Sequence, residues 1–344
     1  MEIKLSQVNC NYCGSTKYKK LVSGFDRIHE STPDVETDFV RCEDCDNLYL
    51  NPVINKANLH VFYPEDYYTS RQDSNPTKFS FKDHLYYSVA VHKFDYLVDL
   101  IPQRNGKQCK IFGKFITTIF YIMRRPYYIR RILPYIQNGN LLEFGYGSGW
   151  FLKRMNSLGW NCFGIEKSLN GHHNLEKDGI YIDTDFRKFN NGLLFDVIYA
   201  YHSLEHEYKP LKLLKQFRDL IHPKGTLIIG VPNQSGLLAR VFGPYWDNLG
   251  IPIHLTLFNT NTMEMFLREA GFKIVCIRHS SHSESISGSM QWWFNHILSK
   301  IFNKRYHSNR IRNNKTLNLL LTPLIRILDS LRLGDCVEYV ATPR

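Results

Sequence analysis

The sequence predicts an α/β protein: a parallel sheet covered by helices, with a small cysteine-containing module in front of it. From about residue 127 onward, short apolar runs typical of strands alternate with segments typical of helices. This alternation is the pattern of a parallel sheet. Two further observations support the prediction, namely a glycine-rich loop directly after the first apolar run and two C-x2-C motifs near the N-terminus.

Five apolar runs are predicted to form strands of the core. They are 140–144, 161–165, 195–200, 226–231 and 273–278. A helix is predicted to begin near Trp150, after the glycine-rich loop. Beyond the fifth run the chain makes an excursion, 279–334, which at roughly 55 residues is long enough for a helical hairpin.

Composition and charge restrict the class of protein. The 344 residues are 43% apolar and 14% aromatic, which excludes a disordered or collagen-like chain. The formal net charge of +11 is concentrated in two segments: residues 102–131 carry eight Lys and Arg without any Asp or Glu, and residues 278–334 carry nine against two. The remaining chain is therefore slightly acidic, and the positive charge is a property of these two basic inserts.

The compartment is predicted from the N-terminus and from the cysteines. The segment MEIKLSQVNC lacks the basic stretch and apolar core of a secretory signal. Eight cysteines in a chain of this length suit a reducing compartment, and no apolar run approaches the roughly 20 residues of a membrane-crossing helix. The sequence therefore predicts a cytoplasmic protein.

The two C-x2-C motifs predict a structural zinc site. Two residues between cysteines let one tight turn direct both sulfurs at the same ion, and two such turns complete a tetrahedral site. The predicted ligands are Cys10, Cys13, Cys42 and Cys45. Two alternatives are disulfide pairing and replacement of one cysteine by His29. The other four cysteines are interpreted as non-ligands: Cys109, Cys162, Cys276 and Cys336.

The glycine-rich loop predicts a nucleoside-binding site. Gly145, Gly147 and Gly149 allow a sharp strand-to-helix turn and let a ligand approach the backbone, while Glu166, which ends the next strand, can hold the two hydroxyls of a ribose. Because Glu143 precedes the glycines, the order is E-x-G-x-G-x-G rather than the G-x-G-x-x-G of dinucleotide-binding proteins. This order favours an adenosyl ligand without a pyrophosphate; a purely structural turn is the alternative.

The motifs LLEFGYGSG, CFGIEKS, FDVIYAYHSLEHEYKP and IHPKGTLIIGVPN resemble, in this order, those of the class I S-adenosylmethionine-dependent methyltransferases. Within that superfamily, YHSLEH and IPIHLTLFN resemble the branch that includes the ubiquinone-pathway O-methyltransferases. The four-cysteine module is similar to the one that precedes deoxysugar C-methyltransferases and many methyltransferases of surface-polysaccharide gene clusters. The resemblance covers roughly residues 1–70 and 127–278, plus a last strand near 335–341.

The resemblance implies a domain organisation. It implies a Rossmann-like, seven-stranded methyltransferase sheet with helices on both faces, preceded by a small zinc-ribbon-like module and carrying a helical insert before the last strand. The implied parts are a zinc-binding module (1–60), a helical linker with a basic aromatic insert (61–126) and a methyltransferase domain (127–344) that contains the helical basic insert (279–334).

The resemblance also implies a cofactor, S-adenosylmethionine, alongside the structural zinc ion. The methionyl part of S-adenosylmethionine is expected near Glu143 and the three loop glycines, and its ribose hydroxyls are expected to bind to Glu166. Asp185 and Phe186 match the place where this superfamily contacts adenine, with Asp183 as a close alternative.

Histidines are the candidates for a catalytic base, because methyl transfer to a hydroxyl or an acidic carbon requires removal of a proton near neutral pH. His202 follows a strand at the carboxyl edge of the sheet, where open α/β folds bind ligands, and His254 falls where this family closes its pocket. Positioning of cofactor or substrate is the alternative role for both. Glu205 and His206 are expected to be structural, as a cap of the next helix, with a divalent ion as the alternative.

The predicted reaction is methylation of a hydroxyl on a sugar, a lipid-linked glycan or a related small metabolite. Deoxysugar C-methylation is one alternative, and RNA methylation that uses the zinc module and the basic inserts is another. Nucleic acid is disfavoured as the acceptor. Base N-methyltransferases carry the motif D/N-P-P-Y/F/W at the position that is occupied here by Tyr201-His202-Ser203-Leu204.

The basic inserts also suit peripheral contact with the inner face of the membrane, and the alternative is simple packing on the core. The sequence does not predict an oligomeric state.

Overall fold

The computed structural model describes residues 3–63, 133–167, 173–189 and 192–344. The chain divides into two compact units. The first unit comprises Met1–Glu65, Ala200–Asp219 and Thr226–Arg344, and the second comprises Asp66–Tyr199 and Leu220–Gly225. Residues 64–126 of the predicted helical linker lie outside the described residues, as does the first basic insert up to residue 131.

A seven-stranded sheet forms the core of the fold, as the sequence predicts. The strands are β6 (Asn140–Phe144), β7 (Asn161–Ile165), β8 (Tyr181–Asp183), β9 (Phe195–Tyr201), β10 (Ile221–Pro232), β12 (Phe272–His279) and β13 (Cys336–Pro343). Their order is β12-β13-β10-β9-β6-β7-β8. β6 pairs with β7 and β7 with β8 in parallel, whereas β13 is antiparallel to both of its neighbours.

Helices connect the strands in the alternation that the sequence indicates. They are α1 (Trp150–Asn156), α2 (His173–Lys177), α3 (Pro210–Leu220), α4 (Leu237–Phe242), α5 (Thr260–Glu269), α6 (Glu284–Ile301) and α7 (Lys315–Ser330). Short 3-10 turns occupy Lys56–Phe62, Phe186–Phe189, Leu204–His206, Gly243–Tyr245 and Asp247–Leu249. α5 begins with a capping box, in which Asn259 and Thr262 each satisfy the backbone N–H of the other.

Beyond the seven-stranded sheet, the first unit contains a sheet built around the cysteine module. Its strands are β1 (Leu5–Ser6), β2 (Tyr18–Gly24), β3 (Thr37–Cys42), β4 (Leu48–Leu50), β5 (Val53–Ile54) and β11 (Thr256–Leu257). Four of them form an antiparallel sheet in the order β11-β4-β3-β2, and β1 pairs with β5.

One strand of this antiparallel sheet comes from the distant C-terminal half of the chain. Thr256 pairs with Tyr49, and Asn11 Nδ2 donates a hydrogen bond of 2.7 Å to Thr256 Oγ1. Phe39 and Leu50 are fully buried in a hydrophobic cluster that also contains Leu255. The cysteine module and the C-terminal half therefore share one core. The boundaries at residues 60 and 126 stay predictions.

The excursion before the last strand is helical, as the sequence predicts. Two long helices, α6 and α7, lie between β12 and β13. Ser287 of α6 donates a 2.6 Å hydrogen bond to Asn318 of α7, and both side chains are buried. None of the helices in the described part of the chain has the length and apolar character that crossing a membrane requires.

Candidate functional site

The four predicted cysteine ligands form one cluster. The Cys10 and Cys45 sulfurs lie 3.6 Å apart, as do those of Cys13 and Cys42, and all four sulfurs lie within 4.8 Å of one another. Tetrahedral zinc with bonds of about 2.3 Å to sulfur places its ligands about 3.8 Å apart. The cluster therefore has the dimensions and the donor atoms of a structural zinc site.

Matching turns hold the two halves of this cluster. In the first, the Gly14 N–H donates to the Cys10 carbonyl at 2.9 Å; in the second, the Asp46 N–H donates to the Cys42 carbonyl at 3.1 Å. Both residues after the second cysteine have positive φ, 79° at Gly14 and 59° at Asp46. The alternative ligand His29 is engaged elsewhere, since its Nδ1 lies 3.0 Å from Asp26 Oδ2.

The glycine-rich loop in the second unit has the backbone that the sequence predicts. Gly145, Gly147 and Gly149 all have positive φ, at 69°, 53° and 70°, which is the region that favours glycine. A Cβ at Gly149 would lie 2.7 Å from carbon atoms of Leu175. Glu143, at the end of β6, is buried. The loop is therefore a tight, bare backbone turn between β6 and α1, of the kind that accommodates a nucleoside ligand.

Glu166 is bound to this loop. It directly follows β7, and its Oε2 accepts a hydrogen bond of 3.1 Å from the Gly147 N–H. Oε1 accepts from the Lys167 N–H at 2.8 Å. Since β6, β7 and β8 are parallel neighbours, the glycine loop, Glu166 and Asp183 lie at the same edge of the sheet. The glycine loop and Glu166, which are predicted to bind the cofactor, are thus brought together.

Asp183, Asp185 and Phe186 form the turn after β8. Asp183 Oδ1 accepts from the N–H groups of Thr184 and Asp185, at 2.7 and 3.0 Å. The Asp185 carboxylate contacts the Arg187 side chain, with Nε at 2.7 Å. The Phe186 ring stacks on Phe144, next to Glu143, with centroids 5.5 Å apart. Phe186 is therefore tied to the end of β6, whereas the Asp185 carboxylate is occupied locally.

In the first unit, His202 occupies a strained position after β9. Its φ is +53°, an uncommon conformation for a residue with a side chain. The conformation is held by the His202 N–H, which donates to the Gly230 carbonyl at 2.8 Å. The ring lies between two partners, because Nδ1 is 3.1 Å from Glu205 Oε1 and Nε2 is 3.4 Å from the Cys336 sulfur.

Burial and neighbouring charges shift the pKa values of Glu205 and His202. Burial raises the pKa of Glu205, but His202, His206 and His254 lower it, and the resulting pKa is about 2. Burial by itself lowers the pKa of His202, but Cys336 and Glu205 raise it well above its ordinary value. Because the ionised Glu205 can only accept, the His202 Nδ1–H donates to it.

His254 and His206 also lie close to Glu205. One nitrogen of each ring and one carboxylate oxygen of Glu205 all lie within 4.8 Å of one another, and the two rings meet edge to face with centroids 4.8 Å apart. Burial lowers the pKa of His254. The Glu205 side chain is fully buried, and its Oε2 has no hydrogen-bond partner among the described residues.

Two residues near these histidines were not predicted from the sequence. Cys336, interpreted from the sequence as a non-ligand, contacts His202. The Tyr63 hydroxyl lies 3.2 Å from His206 Nδ1. Both contacts join residues more than 130 positions apart, so no local pattern could have indicated them.

A family comparison agrees with this architecture. Residues 121–277 match the model of the family Methyltransf_23, described as a methyltransferase domain. This segment is therefore similar to a methyltransferase domain. No curated protein matches the chain.

Solved structures of methyltransferases resemble the chain distantly. An S-adenosylmethionine-dependent methyltransferase from Mesorhizobium loti is 15% identical, covers 62% of this chain and 95% of its own, and has a TM-score of 0.41. One from Clostridium acetobutylicum is 11% identical, with 67% and 98% covered and a TM-score of 0.39. An O-methyltransferase from a Brevibacillus brevis trans-AT PKS multienzyme, in complex with S-adenosyl-L-homocysteine, is 14% identical, with 60% and 66% covered and a TM-score of 0.37.

Proposed function

We propose that the methyltransferase domain methylates a hydroxyl of a sugar, a lipid-linked glycan or a related small metabolite, with His202 as the base. The pairing of His202 with the buried Glu205 carries the proposal. A carboxylate that accepts from Nδ1 fixes the ring and its tautomer, so that in the neutral form of His202 the nitrogen that takes up a proton is Nε2. The imidazolium formed in this way is stabilised by the adjacent carboxylate.

The second unit supplies the residues that would bind the cofactor. Bound S-adenosylmethionine supplies an activated methyl group on a sulfonium centre. The backbone of the glycine loop would lie against its methionyl part, and Glu166 would accept hydrogen bonds from its ribose hydroxyls. Phe186, stacked on Phe144, is the apolar surface proposed for the adenine.

The four-cysteine cluster is proposed to hold a structural zinc ion. Its sulfur separations of 3.6 Å support this assignment, and four thiolates leave no open coordination position for a substrate. The ion is therefore proposed to stabilise the folded module and to take no part in catalysis.

The exposed face of α7 is proposed to contact an anionic membrane surface on which a lipid-linked acceptor would lie. Leu320, Leu324, Ile327 and Leu331 follow one another at helical spacing and are 46–72% exposed, while Ile325 and Leu328 face the core. The surrounding segment 278–334 carries nine Lys and Arg against two acids. Apolar side chains next to cations suit anionic headgroups, at about 1 kcal/mol per cation.

Isotope transfer tests the acceptor class. The protein is incubated with methyl-labelled S-adenosylmethionine and a host lysate, which is then separated into organic, aqueous small-molecule, polysaccharide and nucleic-acid fractions. Label in any of the first three supports the proposal, and the ¹³C NMR shift of a labelled methyl group tells oxygen from carbon attachment. Label confined to the nucleic-acid fraction contradicts it and favours RNA methylation.

His202→Asn tests the base, because asparagine tolerates positive φ better than most residues. Loss of a general base is expected to slow turnover about 10²- to 10⁴-fold without changing cofactor affinity. The exposed histidine variant His222→Asn serves as the control. Full turnover by His202→Asn would refute the assignment.

Vesicle sedimentation tests the membrane contact. The wild type is expected to sediment with vesicles containing an anionic lipid and to remain in solution with zwitterionic ones. Leu320→Gln with Ile327→Gln should reduce sedimentation, whereas Val241→Gln, at a residue 65% exposed outside α7, should not. Equal sedimentation of all variants would contradict the proposal.

A further inference from the structure

We propose that Glu205, His206 and His254 bind a divalent first-row transition metal ion, at a site separate from the four-cysteine cluster. The three side chains belong to the same unit and bring one carboxylate oxygen and two ring nitrogens within 4.8 Å of one another. Two imidazoles with one carboxylate form a donor set typical of such ions.

The buried carboxylate is the first observation that points to a ligand. Glu205 is fully buried, and its two oxygens differ. Oε1 accepts from His202, whereas Oε2 has no hydrogen-bond partner among the described residues. A buried anionic oxygen that lacks a partner is costly. A cation at Oε2 would remove that cost.

The histidine tautomers are the second, independent observation. His254 Nδ1 lies 3.0 Å from the Asn248 carbonyl oxygen, and His206 Nδ1 lies 3.1 Å from that of Ile253. A carbonyl oxygen only accepts, so a hydrogen bond to it requires the proton on Nδ1, and at His206 the Tyr63 hydroxyl then accepts from the same N–H. In a neutral imidazole the lone pair is then on Nε2, and ligating histidines commonly donate their other ring N–H to a backbone carbonyl in this way.

Local packing fixes the two rings for this role. Gly250, with φ of +59°, lies directly under the His254 ring, and a Cβ at Gly250 would overlap the ring. The Tyr63 hydroxyl lies 3.2 Å from His206 Nδ1, beside the Ile253 carbonyl. Both rings are therefore held in place from outside the cluster.

Three protein ligands leave coordination positions for water or for a hydroxyl oxygen. Glu205 would then link the ion at Oε2 to His202 at Oε1. The donor set differs in kind from the four thiolates, which favour softer metals and close the coordination sphere. The two sites can therefore be distinguished by their ligands. The inference concerns binding alone and does not depend on the proposed acceptor.

Zinc stoichiometry of the full chain tests the site. The protein is dialysed to equilibrium against micromolar free zinc and analysed for bound metal. The wild type is expected to hold about two zinc ions per chain. His254→Gln and the more conservative Glu205→Gln should each hold about one, as should Cys42→Ser. Two controls should hold about two zinc ions: Glu264→Gln, at an exposed residue of the same unit, and His222→Gln, at an exposed residue of the second unit. Thermal unfolding shows whether each variant is folded.

The outcomes separate this site from the cysteine cluster. Loss of one zinc in His254→Gln and in Glu205→Gln, with the cysteine variant losing a different one, supports the proposal. If the wild type holds a single zinc that Cys42→Ser removes, the proposal is overturned. It is also overturned if folded His254→Gln and Glu205→Gln keep the wild-type stoichiometry. A single zinc that survives Cys42→Ser but is lost in His254→Gln supports this site and refutes the cysteine site.

Discussion

The Glu166 carboxylate accepts a hydrogen bond from the Gly147 N–H at 3.1 Å. One residue ends a strand and the other lies in the loop after the neighbouring strand, so the contact ties the proposed ribose acceptor to the glycine loop. It also keeps the carboxylate in one orientation before a ligand arrives, which lowers the entropic cost of binding.

Replacement of this carboxylate should therefore weaken cofactor binding. In Glu166→Gln the amide oxygen can still accept from a ribose hydroxyl, but the acceptor has lost its charge, and hydrogen bonds to charged groups contribute about 1.5–3 kcal/mol each against about 0.5–1.5 kcal/mol for neutral ones. We expect the Kd for S-adenosylhomocysteine to rise by one to two orders of magnitude in calorimetry. The matched control is Glu176→Gln, at an exposed glutamate of the same unit, which should bind as the wild type does. Equal affinity in both variants would remove Glu166 from the cofactor site.

Two glycines with similar backbone conformations allow the cost of backbone strain to be measured separately from the cost of steric overlap. Gly149 and Gly179 have φ of 70° and 77°, but a Cβ at Gly149 would lie 2.7 Å from Leu175, whereas nothing lies within 4 Å of one at Gly179. Each alanine variant carries the conformational cost of about 1 kcal/mol. Gly149→Ala should lose a further 1–3 kcal/mol or so from overpacking.

Urea unfolding measures this difference. Gly149→Ala should also lose cofactor affinity, because the loop backbone must move to relieve the contact with Leu175. Gly179→Ala should retain it. If the two variants unfold at the same urea concentration, contact with Leu175 is not the reason why position 149 requires a glycine.

Local patterns explain why much of the fold was predictable. β6, β7 and the start of α1 at Trp150 have the predicted bounds, because each is a short apolar run or a cap next to a glycine loop. β10 is longer than the predicted 226–231, and its additional pairing with β13 extends to Pro232. β8 has three residues, too few to show an alternation.

The contacts of the candidate site were less predictable, because they join distant segments. The identity of His202 as a candidate base follows from its place after a strand, but its contact with Cys336 depends on β13 lying beside β10. Likewise, β11 completes the sheet of the cysteine module across about two hundred residues. Such pairings are set by tertiary packing rather than by local propensity.

The cysteine cluster predicts a metal-dependent stability. In Cys42→Ser, one thiolate of the four is replaced by a weak ligand, and the free energy of zinc binding no longer stabilises the module. We expect one zinc fewer than in the wild type by elemental analysis, together with a lower Tm. Cys276→Ser, at an exposed cysteine outside the cluster, should change neither. An unchanged zinc content in Cys42→Ser would contradict the proposed four-cysteine site.

Asp335 predicts how stability depends on pH. Burial raises the pKa of this carboxyl, hydrogen bonds from Ser285, Trp246 and Asn248 lower it, and the nearby Asp247 raises it, so that the net value is about 7. The folded protein therefore keeps a proton that the unfolded chain releases near its ordinary pKa of about 3.9. This contribution to stability is complete below that value, decreases as pH rises, and is lost above about pH 7.

Between these limits, one retained proton lowers the free energy of unfolding by at most about 1.4 kcal/mol for each pH unit of increase. Asp335→Asn cannot titrate, so its unfolding free energy should decrease less steeply over this interval than that of the wild type. In the wild type the Trp246 and Asn248 side chains each donate a hydrogen bond of 2.5 Å to the Asp335 carboxyl group. In Asp335→Asn the amide oxygen can still accept one of them. Denaturant unfolding at a series of pH values measures both slopes, and identical slopes would show that Asp335 ionises in the folded protein as it does in the unfolded chain.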